Sequence, residues 1–314
     1  RNPVLPKEKD FEVRGNISGY DISPDGKKLA FVSRGELFVS DVEGKFIQLI
    51  NRGSAERVRE VKWLSDNKTL LFNQTWEGYT NWYTRRADSS GAPKQLSSDK
   101  RNNRNISLNK KRTQAVYLSG RDEVRLMDLR TFQVKTIVKD ELWAFQNSEP
   151  GFSPNDEYVL FTAKRNFEED ILIHHIKDNK TTNLTNTGVT EAGPIWSPDA
   201  KYIYFTSQRL KPSYPFGMAN AKVYRLPLEK LDEPYRIDKY NELFKEEKKD
   251  TSKKIAANNA DSLKTITVDT DLLLERMEQV SPSPGAQFLQ AVYQKGDKTT
   301  VLYTSNHGEG RNAL

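Results

Sequence analysis

A short turn sequence that returns at nearly constant intervals constrains the fold of this chain more than any other feature. The turn "SPDGKK" at residues 23–28 lies between two apolar runs, and related turns read "LSDNKT", "SLNKKR", "FSPNDE" and "WSPDAK". Taken as starting at Ser23, Ser65, Ser107, Ser153 and Ser197, the turns are spaced at intervals of 42, 42, 46 and 44 residues. A repeat of roughly 40–45 residues built from short strands is typical of a β-propeller, with one four-stranded blade per repeat.

Each repeat contains four segments with the composition of β-strands. A short run that ends in a large apolar residue precedes the turn, and an apolar strand such as "KLAFVS" or "YIYFTSQ" follows it. A third strand ("ELFVSDV", "EVRLMDL", "DILIHHI") and a shorter fourth one come next. Within the turn, Pro presets φ, Asp accepts bonds from the backbone that follows it, and Gly accepts a positive φ. The repeated turn is therefore interpreted as the hairpin between the first two strands of a blade, which is a structural element and not a catalytic one.

The same pattern divides the chain into three parts. Residues 1–231 are predicted to form blades one to five, and residues 266–314 to form further propeller strands. Residues 232–265 are polar, charge-dense and poor in β-branched residues, so they are interpreted as a surface insertion or linker, with a docking lid as the alternative. A propeller that does not join its last blade to its first exposes a strand edge. We therefore expect an incomplete ring, completed by sequence that follows Leu314 in a longer protein, unless the ring closes in an irregular way.

Composition excludes several kinds of site. The chain has no cysteine, which excludes disulfides, thiolate metal sites and cysteine nucleophiles. No apolar run approaches the roughly 20 residues of a membrane-spanning helix, so the chain is not expected to span a membrane. The formal net charge of +6 comes largely from clusters of mixed sign such as "KEEKKDTSKK", and no basic stripe or nucleic-acid motif is visible. A nucleic-acid partner is therefore not expected.

The sequence shows no recognisable constellation of catalytic or metal-binding residues. The adjacent His174 and His175 lie on a predicted strand, so their side chains point to opposite faces and cannot hold one ion together. His307 lies near a serine and a glutamate, but the chain has no G-x-S-x-G nucleophile motif. Glu123 and Asp170 are interpreted as ordinary blade-surface charges, and neither metal-ligand spacing nor a phosphate-binding glycine loop is present. We therefore predict no catalytic residue, no metal and no cofactor for this chain.

Two candidate binding surfaces follow from the blade pattern. The strand before each turn is the innermost strand of a blade and lines the central channel, so the candidate substrate-channel residues are Arg59, Arg101, Arg104, Asn147, Glu149 and Glu191. Their mixed signs predict a polar, water-filled channel, and the alternative is that these charges are only solvated and select nothing. In the aromatic loop "QTWEGYTNWY", Trp82 and Tyr83 are predicted to begin the third strand, which leaves Trp76 and Tyr79 as a candidate partner surface.

An ordered set of longer motifs resembles one family of peptidases. "FEVRGNISGYDISPDGKKLAFVSRGELFVSDVEGK" resembles the opening of the second, seven-bladed type of N-terminal propeller of tricorn-like proteases. "WSPDAKYIYFTSQR", then "YPFGMANAKVYRLPL" and a charged insert, is similar to later blades of that propeller, and "ITVDTDLLLERMEQVSPSPG" resembles a further family segment. The resemblance extends from Phe11 to about Gly310. The chain departs from it at "LLLER", where the family usually has a glycine and an acidic residue in place of Leu273, Leu274 and Glu275.

The resemblance implies a function for the chain. In tricorn-like serine peptidases the propellers lie beside the catalytic core and are thought to guide unfolded peptides to it. The catalytic serine, histidine and acidic residue lie C-terminal to the propellers, beyond a PDZ domain for the serine, and none of those regions is present here. The chain is therefore expected to be a non-catalytic propeller domain that gates or guides peptides. The expected partners are a peptide or unfolded polypeptide and the PDZ and catalytic regions of the same full-length protein, and oligomerisation is left open.

Other functions stay open at this point. A TolB-like scaffold for protein interactions would use the same kind of propeller, and so would a propeller lyase or hydrolase, although no polar catalytic cluster favours an enzyme. The bacterial, often periplasmic members of the tricorn-like family imply export to the periplasm, with the cytoplasm as the alternative. The sequence that follows Leu314 distinguishes the peptidase domain from the scaffold.

Overall fold

The computed structural model describes residues 13–51, 56–139, 149–165, 168–212, 218–230, 265–282, 284–296 and 298–306. The chain divides into two compact units, Arg1–Gly151 and Phe152–Leu314. Asn147 and His307, along with nearly all of the charged stretch 232–265, lie outside the described residues.

The described part of the first unit contains three antiparallel sheets of four strands, each hydrogen-bonded in sequence order. The first sheet consists of β1 (Ile17–Ile22), β2 (Lys28–Ser33), β3 (Glu36–Asp41) and β4 (Ile47–Leu49). The second consists of β5 (Val58–Trp63), β6 (Thr69–Trp76), β7 (Tyr79–Arg86) and β8 (Lys94–Gln95). The third consists of β9 (Asn103–Leu108), β10 (Gln114–Ser119), β11 (Glu123–Asp128) and β12 (Val134–Lys139). Four strands joined in this way are the blade of a β-propeller, so the predicted all-β fold with four-stranded blades is confirmed.

Two more sheets of the same kind and a hairpin follow in the chain. The fourth sheet consists of β13 (Gly151–Phe152), β14 (Tyr158–Arg165), β15 (Glu168–His175) and β16 (Lys180–Asn183). The fifth consists of β17 (Glu191–Trp196), β18 (Tyr202–Ser207), β19 (Lys222–Pro227) and β20 (Glu278–Gln279). The hairpin consists of β21 (Gln287–Lys295) and β22 (Lys298–Ser305). The outer strand of the fifth sheet therefore lies C-terminal to the charged stretch, beyond the first 231 residues.

The repeated turn closes each blade hairpin with a constant set of bonds. In the first turn the N–H of Gly26 donates to the carbonyl of Ser23 at 2.8 Å, and the N–H of Ser23 donates to the carbonyl of Lys28 at 2.9 Å. The Ser23 hydroxyl donates to Asp25 at 2.5 Å and accepts the N–H of Lys28 at 2.9 Å. The prediction that "SPDGKK" is a hairpin turn is therefore confirmed.

The register of the repeat differs from the prediction at the second and third turns. These begin at Leu64 and Asn109, not at Ser65 and Ser107, because Leu64 and Asn109 make the backbone bonds that Ser23 makes in the first turn. The Asn109 carboxamide accepts the N–H groups of the residues four and five positions later, at 2.8 and 3.0 Å. An asparagine can therefore take the place of the serine, and the nearest serine in the sequence does not mark the turn.

One backbone conformation is common to all five turns. The fourth turn residue has a positive φ in each case: Gly26 (70°), Asn67 (57°), Arg112 (51°), Asp156 (63°) and Ala200 (60°). Glycine adopts this conformation at little cost, whereas other residues are strained there. Four of the five turns thus hold a non-glycine residue in the left-handed region, which explains why the turn sequences vary while their geometry does not.

Within each unit, buried apolar side chains pack between neighbouring sheets. One cluster joins the first two sheets and is centred on Trp63, Leu70 and Phe72. A second joins the next pair through Leu71, Trp82 and Tyr117. In the second unit, a third cluster includes residues of the fourth and fifth sheets and Leu273 of the short 3-10 helix Leu273–Arg276. Leu273 is therefore a core residue at the place where the chain departs from the tricorn-like pattern.

The first strands of the three sheets in the first unit are neighbours. β1 contacts β5, and β5 contacts β9. This is the arrangement expected of innermost blade strands. Among the described residues, no helix has the length and apolar character needed to cross a membrane.

Candidate functional site

Two of the predicted channel residues, Arg101 and Arg104, converge on the turn between β10 and β11. Arg101 Nη2 donates to the carbonyl of Ser119 at 3.0 Å, and Arg104 Nη1 donates to the carbonyl of Gly120 at 2.8 Å. Gly120 has a φ of 62°, and a Cβ there would lie 2.6 Å from Arg101 Nη2. The absence of a side chain at Gly120 therefore allows the guanidinium to cover the turn. Burial lowers the pKa of Arg104.

A network of charged side chains leads from Arg101 into the third sheet. Arg101 forms an ion pair with Asp122 at the turn and lies 3.7 Å from Glu123. Glu123 forms an ion pair at 2.8 Å with Arg125, and Arg125 also binds Asp99, which follows β8 of the second sheet. Although burial alone would lower the pKa of Arg125, its hydrogen bonds to Glu123 and Asp99 raise it. Arg125 is therefore a permanent cation held between two carboxylates.

Arg125 forms one wall of a cavity of about 530 Å³ in the first unit. The cavity is bounded by the segment after β8 and by residues of β10, β11 and β12, including the turn that precedes β12. Its lining residues are Gln95, Leu96, Ser97, Ser98, Asp99, Tyr117, Arg125, Phe132 and Val134. This volume lies within the range of small-molecule sites, roughly 300–1,000 Å³. Six of its nine lining residues are polar or charged, whereas small-molecule sites are usually lined mainly by apolar side chains.

Tyr117 is the most deeply buried polar residue of this cavity. Its residue is 0% exposed, and its hydroxyl lies within hydrogen-bonding reach of the Arg125 guanidinium. Burial raises the pKa of Tyr117 to about 12, and Arg125 counteracts this only in part. The hydroxyl therefore keeps its proton at neutral pH, but it has no exposed surface through which it could contact a ligand.

Phe132 holds an unusual backbone conformation in the cavity wall. Its φ is 60°, which is rare for a bulky residue. Its N–H donates to the carbonyl of Asp128 at 2.7 Å, and its ring packs against the core between the second and third sheets. Phe132 lies in the turn between β11 and β12, and its positive φ resembles that of the non-glycine residues in the repeated blade turns. Its conformation is therefore explained by the hairpin turn.

The remaining channel candidates lie apart from this cluster. Arg59 is exposed on β5, and its carbonyl accepts the hydroxyl of Ser18 at 3.2 Å. Glu149 is exposed just before β13. The substrate-channel role of these residues stays a prediction.

Glu191 has a different environment from the one predicted. It is the first residue of β17 and is 0% exposed, and both of its carboxylate oxygens accept the hydroxyl of Thr187, at 3.0 and 3.1 Å. Burial raises its pKa to about 7, and the charge of Asp170 adds to this, while Thr187 and the cation of Arg209 oppose it. A side chain without exposed surface cannot contact a passing peptide, so its burial does not support a channel role for Glu191.

The two aromatic residues proposed as a partner surface face each other across a tight hairpin. Trp76 ends β6 and pairs with Tyr79, the first residue of β7. Between them, Glu77 and Gly78 have φ values of 50° and 84°, so the loop is a two-residue turn in which both central residues have positive φ. Trp76 packs partly against the core of the first two sheets. The third strand begins at Tyr79, three residues before the start predicted at Trp82.

The histidines of the fourth sheet behave as expected for adjacent strand residues. His174 is buried, with Nδ1 3.0 Å from the hydroxyl of Thr181. His175 is only partly buried, and it contacts Asp178 through Nδ1 at 2.7 Å. Within the described residues, no group of three or more His, Asp or Glu side chains is arranged to hold a metal ion.

Sequence reasoning missed the cavity and most of its residues. One available signal was the alternation in "EVRLMD", which places Glu123 and Arg125 on the same face of β11. No comparable signal indicates Phe132, because nothing in its local sequence requires a positive φ. The contact of Arg125 with Asp99 depends on how two sheets pack, which strand patterns do not specify.

Comparisons with known proteins support the fold. No family model matches the chain, and no curated protein matches it in sequence. Among solved structures, that of the tricorn protease is similar over 98% of this chain, with a TM-score of 0.65 and 16% sequence identity. The fold is that of a tricorn-like β-propeller. The chain spans 29% of the length of the tricorn protease chain to which it is similar.

Two TolB structures show weaker likenesses. A putative TolB from Agrobacterium tumefaciens aligns with 68% of this chain and 77% of its own, at 15% identity and a TM-score of 0.48. TolB from Acinetobacter baumannii aligns with 91% of this chain and 62% of its own, at 18% identity and the same TM-score. At this level they support no inference about this chain.

Proposed function

We propose that this chain is a non-catalytic β-propeller domain of a tricorn-like serine peptidase, and that it gates or guides unfolded peptides to a catalytic core outside the chain. The observation that carries the proposal is the likeness of 98% of the chain to 29% of the tricorn protease chain. The ordered sequence motifs that resemble the same propeller are in agreement with it. The peptidase activity itself is assigned to regions that this sequence does not include.

The proposal gives the exposed charges of the inner strands a role in peptide contact. Arg59 is the best placed of these, since it lies on β5 with an exposed side chain. Arg101 and Arg104 have guanidinium groups that already bind the β10–β11 turn, so their role would be to shape the surface. Asn147 and Glu149 remain proposed channel residues, and Trp76 with Tyr79 a proposed contact surface for the PDZ or catalytic regions.

Binding of an unfolded polypeptide tests the proposal directly. Fluorescein-labelled casein, which is unfolded and acidic, should increase in fluorescence anisotropy when the 314-residue chain is added, and it should not be cleaved. Arg59→Glu should weaken this binding several-fold, because it reverses an exposed charge on the inner strand. Lys110→Glu is the matched control, since Lys110 is exposed in the β9–β10 turn, and it should change binding less than about twofold.

Two results would contradict this proposal. Cleavage of casein by the chain alone would show a catalytic site that the proposal denies. Equal effects of the two charge reversals would remove Arg59 from the contact surface. The gene sequence after Leu314 is a separate test: an encoded PDZ and serine-peptidase region supports the proposal, whereas a stop codon there favours the TolB-like scaffold.

Location and assembly belong to the same proposal. Peptide breakdown by a tricorn-like peptidase outside the cytoplasm would need export, and we propose the periplasm as the compartment, with the cytoplasm as the alternative. Fractionation of cells that express the tagged full-length gene product distinguishes the two. No nucleic-acid partner is proposed.

A further inference from the structure

One face of the first sheet is apolar and open to solvent. This free face consists of two rows of side chains that lie opposite one another across the strands: Tyr20, Phe31, Phe38 and Leu49 in one row, and Ile22, Leu29 and Ile47 in the other. Tyr20, Ile22 and Ile47 are 65, 47 and 60% exposed. A contiguous apolar surface of this kind on a protein marks a place of interaction.

The second sheet carries an equivalent face, and there the first sheet covers it. The turn bonds align Leu64 of the second sheet with Ser23 of the first. Extended along the strands, this alignment makes the counterparts of the free face Val61, Trp63, Leu70, Phe72 and Tyr83. All five are at most 6% exposed and belong to the core between the first two sheets. The free face therefore has the composition of a surface that a neighbouring sheet buries.

The third sheet repeats this relationship. Its turn aligns Asn109 with Ser23, so Ile106, Ala115 and Tyr117 occupy positions equivalent to three residues of the free face. They are at most 4% exposed and pack in the core between the second and third sheets. Within the described part of the first unit, only the first sheet leaves these positions open.

A stacked aromatic pair indicates what kind of surface fits the free face. The rings of Phe31 and Phe38 stack with centroids 5.2 Å apart, as those of Phe72 and Tyr83 do at 5.9 Å. The first sheet packs against the Phe72–Tyr83 pair with its opposite face, which presents the aliphatic side chains of Ala30, Val32, Leu37 and Val39. Close packing combines broad rings with small side chains in this way. The same match at the Phe31–Phe38 pair requires a sheet that presents alanine, valine and leucine.

The size of the free face favours a partner from the same polypeptide. Strands about 4.8 Å apart, with residues about 3.3 Å long, give a face of about 19 Å by 20 Å, or about 400 Å². Stable complexes of separate chains bury about 800 Å² of each partner. A tethered sheet needs less area because the linker raises its local concentration. A second copy of the chain would bring a second aromatic row to the face, since its aliphatic face is already buried.

We propose that the free face receives a further β-sheet of the same polypeptide, supplied from outside the 314 residues, which presents alanine, valine and leucine side chains to Phe31 and Phe38. The inference rests on the part of the proposed function that makes the chain a domain of a longer protein. It does not depend on peptide guidance. The docking sheet is identified by its small aliphatic surface and by its covalent connection to the chain.

Thiol labelling tests the proposal, since the 314 residues contain no cysteine and one introduced thiol is a specific probe. Tyr20→Cys and Ile47→Cys place the thiol on the free face, and Lys68→Cys places the control thiol on the exposed turn of the second sheet. Each variant is made in the 314-residue chain and in the full-length gene product. Peptide mass spectrometry follows N-ethylmaleimide labelling at the introduced position.

The labelling rates should separate the free face from the control. In the 314-residue chain, all three thiols should be labelled at rates that agree within about fivefold, because each is exposed. In the full-length product, labelling at positions 20 and 47 should slow by at least about 50-fold, since a docked sheet must open before the reagent enters. The rate for Lys68→Cys should change by less than about threefold.

A charge on the free face tests the apolar character of the docked sheet. In the full-length product, Ile22→Lys should raise the labelling rate of Tyr20→Cys by at least about tenfold, because an ammonium group is not buried against aliphatic side chains without a partner. Ile22→Leu is the matched control and should keep the slow rate. In the 314-residue chain, Ile22→Lys should shift the midpoint of thermal unfolding by less than about 2 °C, because Ile22 is exposed there.

Four results would overturn the proposal. These are equal labelling of Tyr20→Cys in the two proteins, a gene that ends at Leu314, slower labelling of the 314-residue chain between about 1 and 200 μM protein, and slower labelling in the presence of casein. The third assigns the free face to a second copy, and the fourth assigns it to an unfolded polypeptide. Casein binding through Arg59 is measured on the 314-residue chain alone, so peptide guidance can fail while the free face is protected, and the reverse.

Discussion

The guanidinium of Arg112 donates hydrogen bonds to both carboxylate oxygens of Asp21, at 2.6 and 3.2 Å, across 91 residues of sequence. Arg112 belongs to the turn of the third sheet, whereas Asp21 lies on the first strand of the first sheet. The same guanidinium also donates to the carbonyls of Trp63 in the second sheet, at 2.6 Å, and of Ile22, at 3.3 Å. One turn side chain therefore joins three successive sheets of the first unit.

This relationship predicts that Arg112→Lys destabilises the chain. Lysine keeps the charge, but its single ammonium cannot reproduce the forked contacts of a guanidinium with Asp21 and Trp63. The pair is largely shielded, with the side chains 21% and 15% exposed, so we expect a loss of about 2 kcal/mol in the free energy of unfolding in urea. The reciprocal control Lys111→Arg changes an exposed neighbour and should alter stability by less than about 0.5 kcal/mol. Similar values for the two variants would contradict the role given to Arg112.

A substitution at Gly26 should measure the free energy that the turn conformation costs a residue with a side chain. Its φ is 70°, and an added Cβ would meet no atom within 4 Å, so Gly26→Ala tests backbone conformation alone. We expect a destabilisation of about 1 kcal/mol, because alanine is strained in the left-handed region. Gly188 also has open space around its Cβ position but no positive φ, so Gly188→Ala should be neutral or slightly stabilising. Thermal unfolding of the two variants measures the difference, and equal melting temperatures would refute the argument.

Glu60 links the second sheet to the third, and its replacement should lower the free energy of unfolding. Its carboxylate accepts the N–H groups of Asn105 and Ile106, both at 3.0 Å, and the side-chain amide of Asn73 at 2.9 Å. Glu60→Gln replaces one acceptor oxygen with a donor that faces an N–H group, so we expect a loss of about 2 kcal/mol in urea unfolding. Glu43 is an exposed carboxylate in the turn after β3, and Glu43→Gln should cost less than about 0.5 kcal/mol. A loss below this limit for Glu60→Gln would show that the contact is not structural.

The turns show what the sequence alone could predict about the fold. "SPDGKK" and "WSPDAK" share one sequence pattern closely enough to reveal the blade repeat and the order of the strands. The second turn departs from that pattern because Leu64, at the serine position, has no side-chain acceptor. Asp66 replaces the serine as the acceptor and binds the N–H groups of Lys68 and Thr69 at 2.9 and 2.8 Å. Different side chains thus stabilise the same backbone, and the exact register could not be read from serine positions.

The candidate site was less accessible to sequence analysis. Arg101 and Arg104 were recognised as charges near an inner strand, but both bind backbone carbonyls of a turn 16 or more residues later, and Arg101 also binds the carboxylate of Asp122. Glu191 looked like a channel charge, although its neighbours Thr187 and Asp170 bury it. These contacts depend on the packing of side chains between elements, which strand periodicity does not encode.

The buried Glu191 predicts a pH dependence of stability. Its pKa is about 7 in the folded chain against an ordinary value of 4.5, chiefly because burial disfavours the carboxylate. Between pH 4.5 and about pH 7, the carboxyl group of Glu191 therefore keeps its proton in the folded protein, whereas it loses the proton in the unfolded chain. The contribution of Glu191 to stability is complete below pH 4.5 and decreases by on the order of 3 kcal/mol as the pH rises to about 7.

Glu191→Gln isolates this effect, because glutamine resembles the protonated acid and does not titrate. Near pH 4.5 the variant and the wild-type chain should have similar free energies of unfolding in urea, and near pH 8 the variant should be the more stable. The charge of Asp170 favours this difference and that of Arg209 reduces it, so the measured size reports their balance. Glu149→Gln removes an exposed carboxylate and is the matched control for the loss of one negative charge. If the Glu191→Gln and wild-type profiles were parallel across this range, Glu191 would already be ionised in the folded chain at low pH, and its burial would have to be compensated by Arg209 and Thr187.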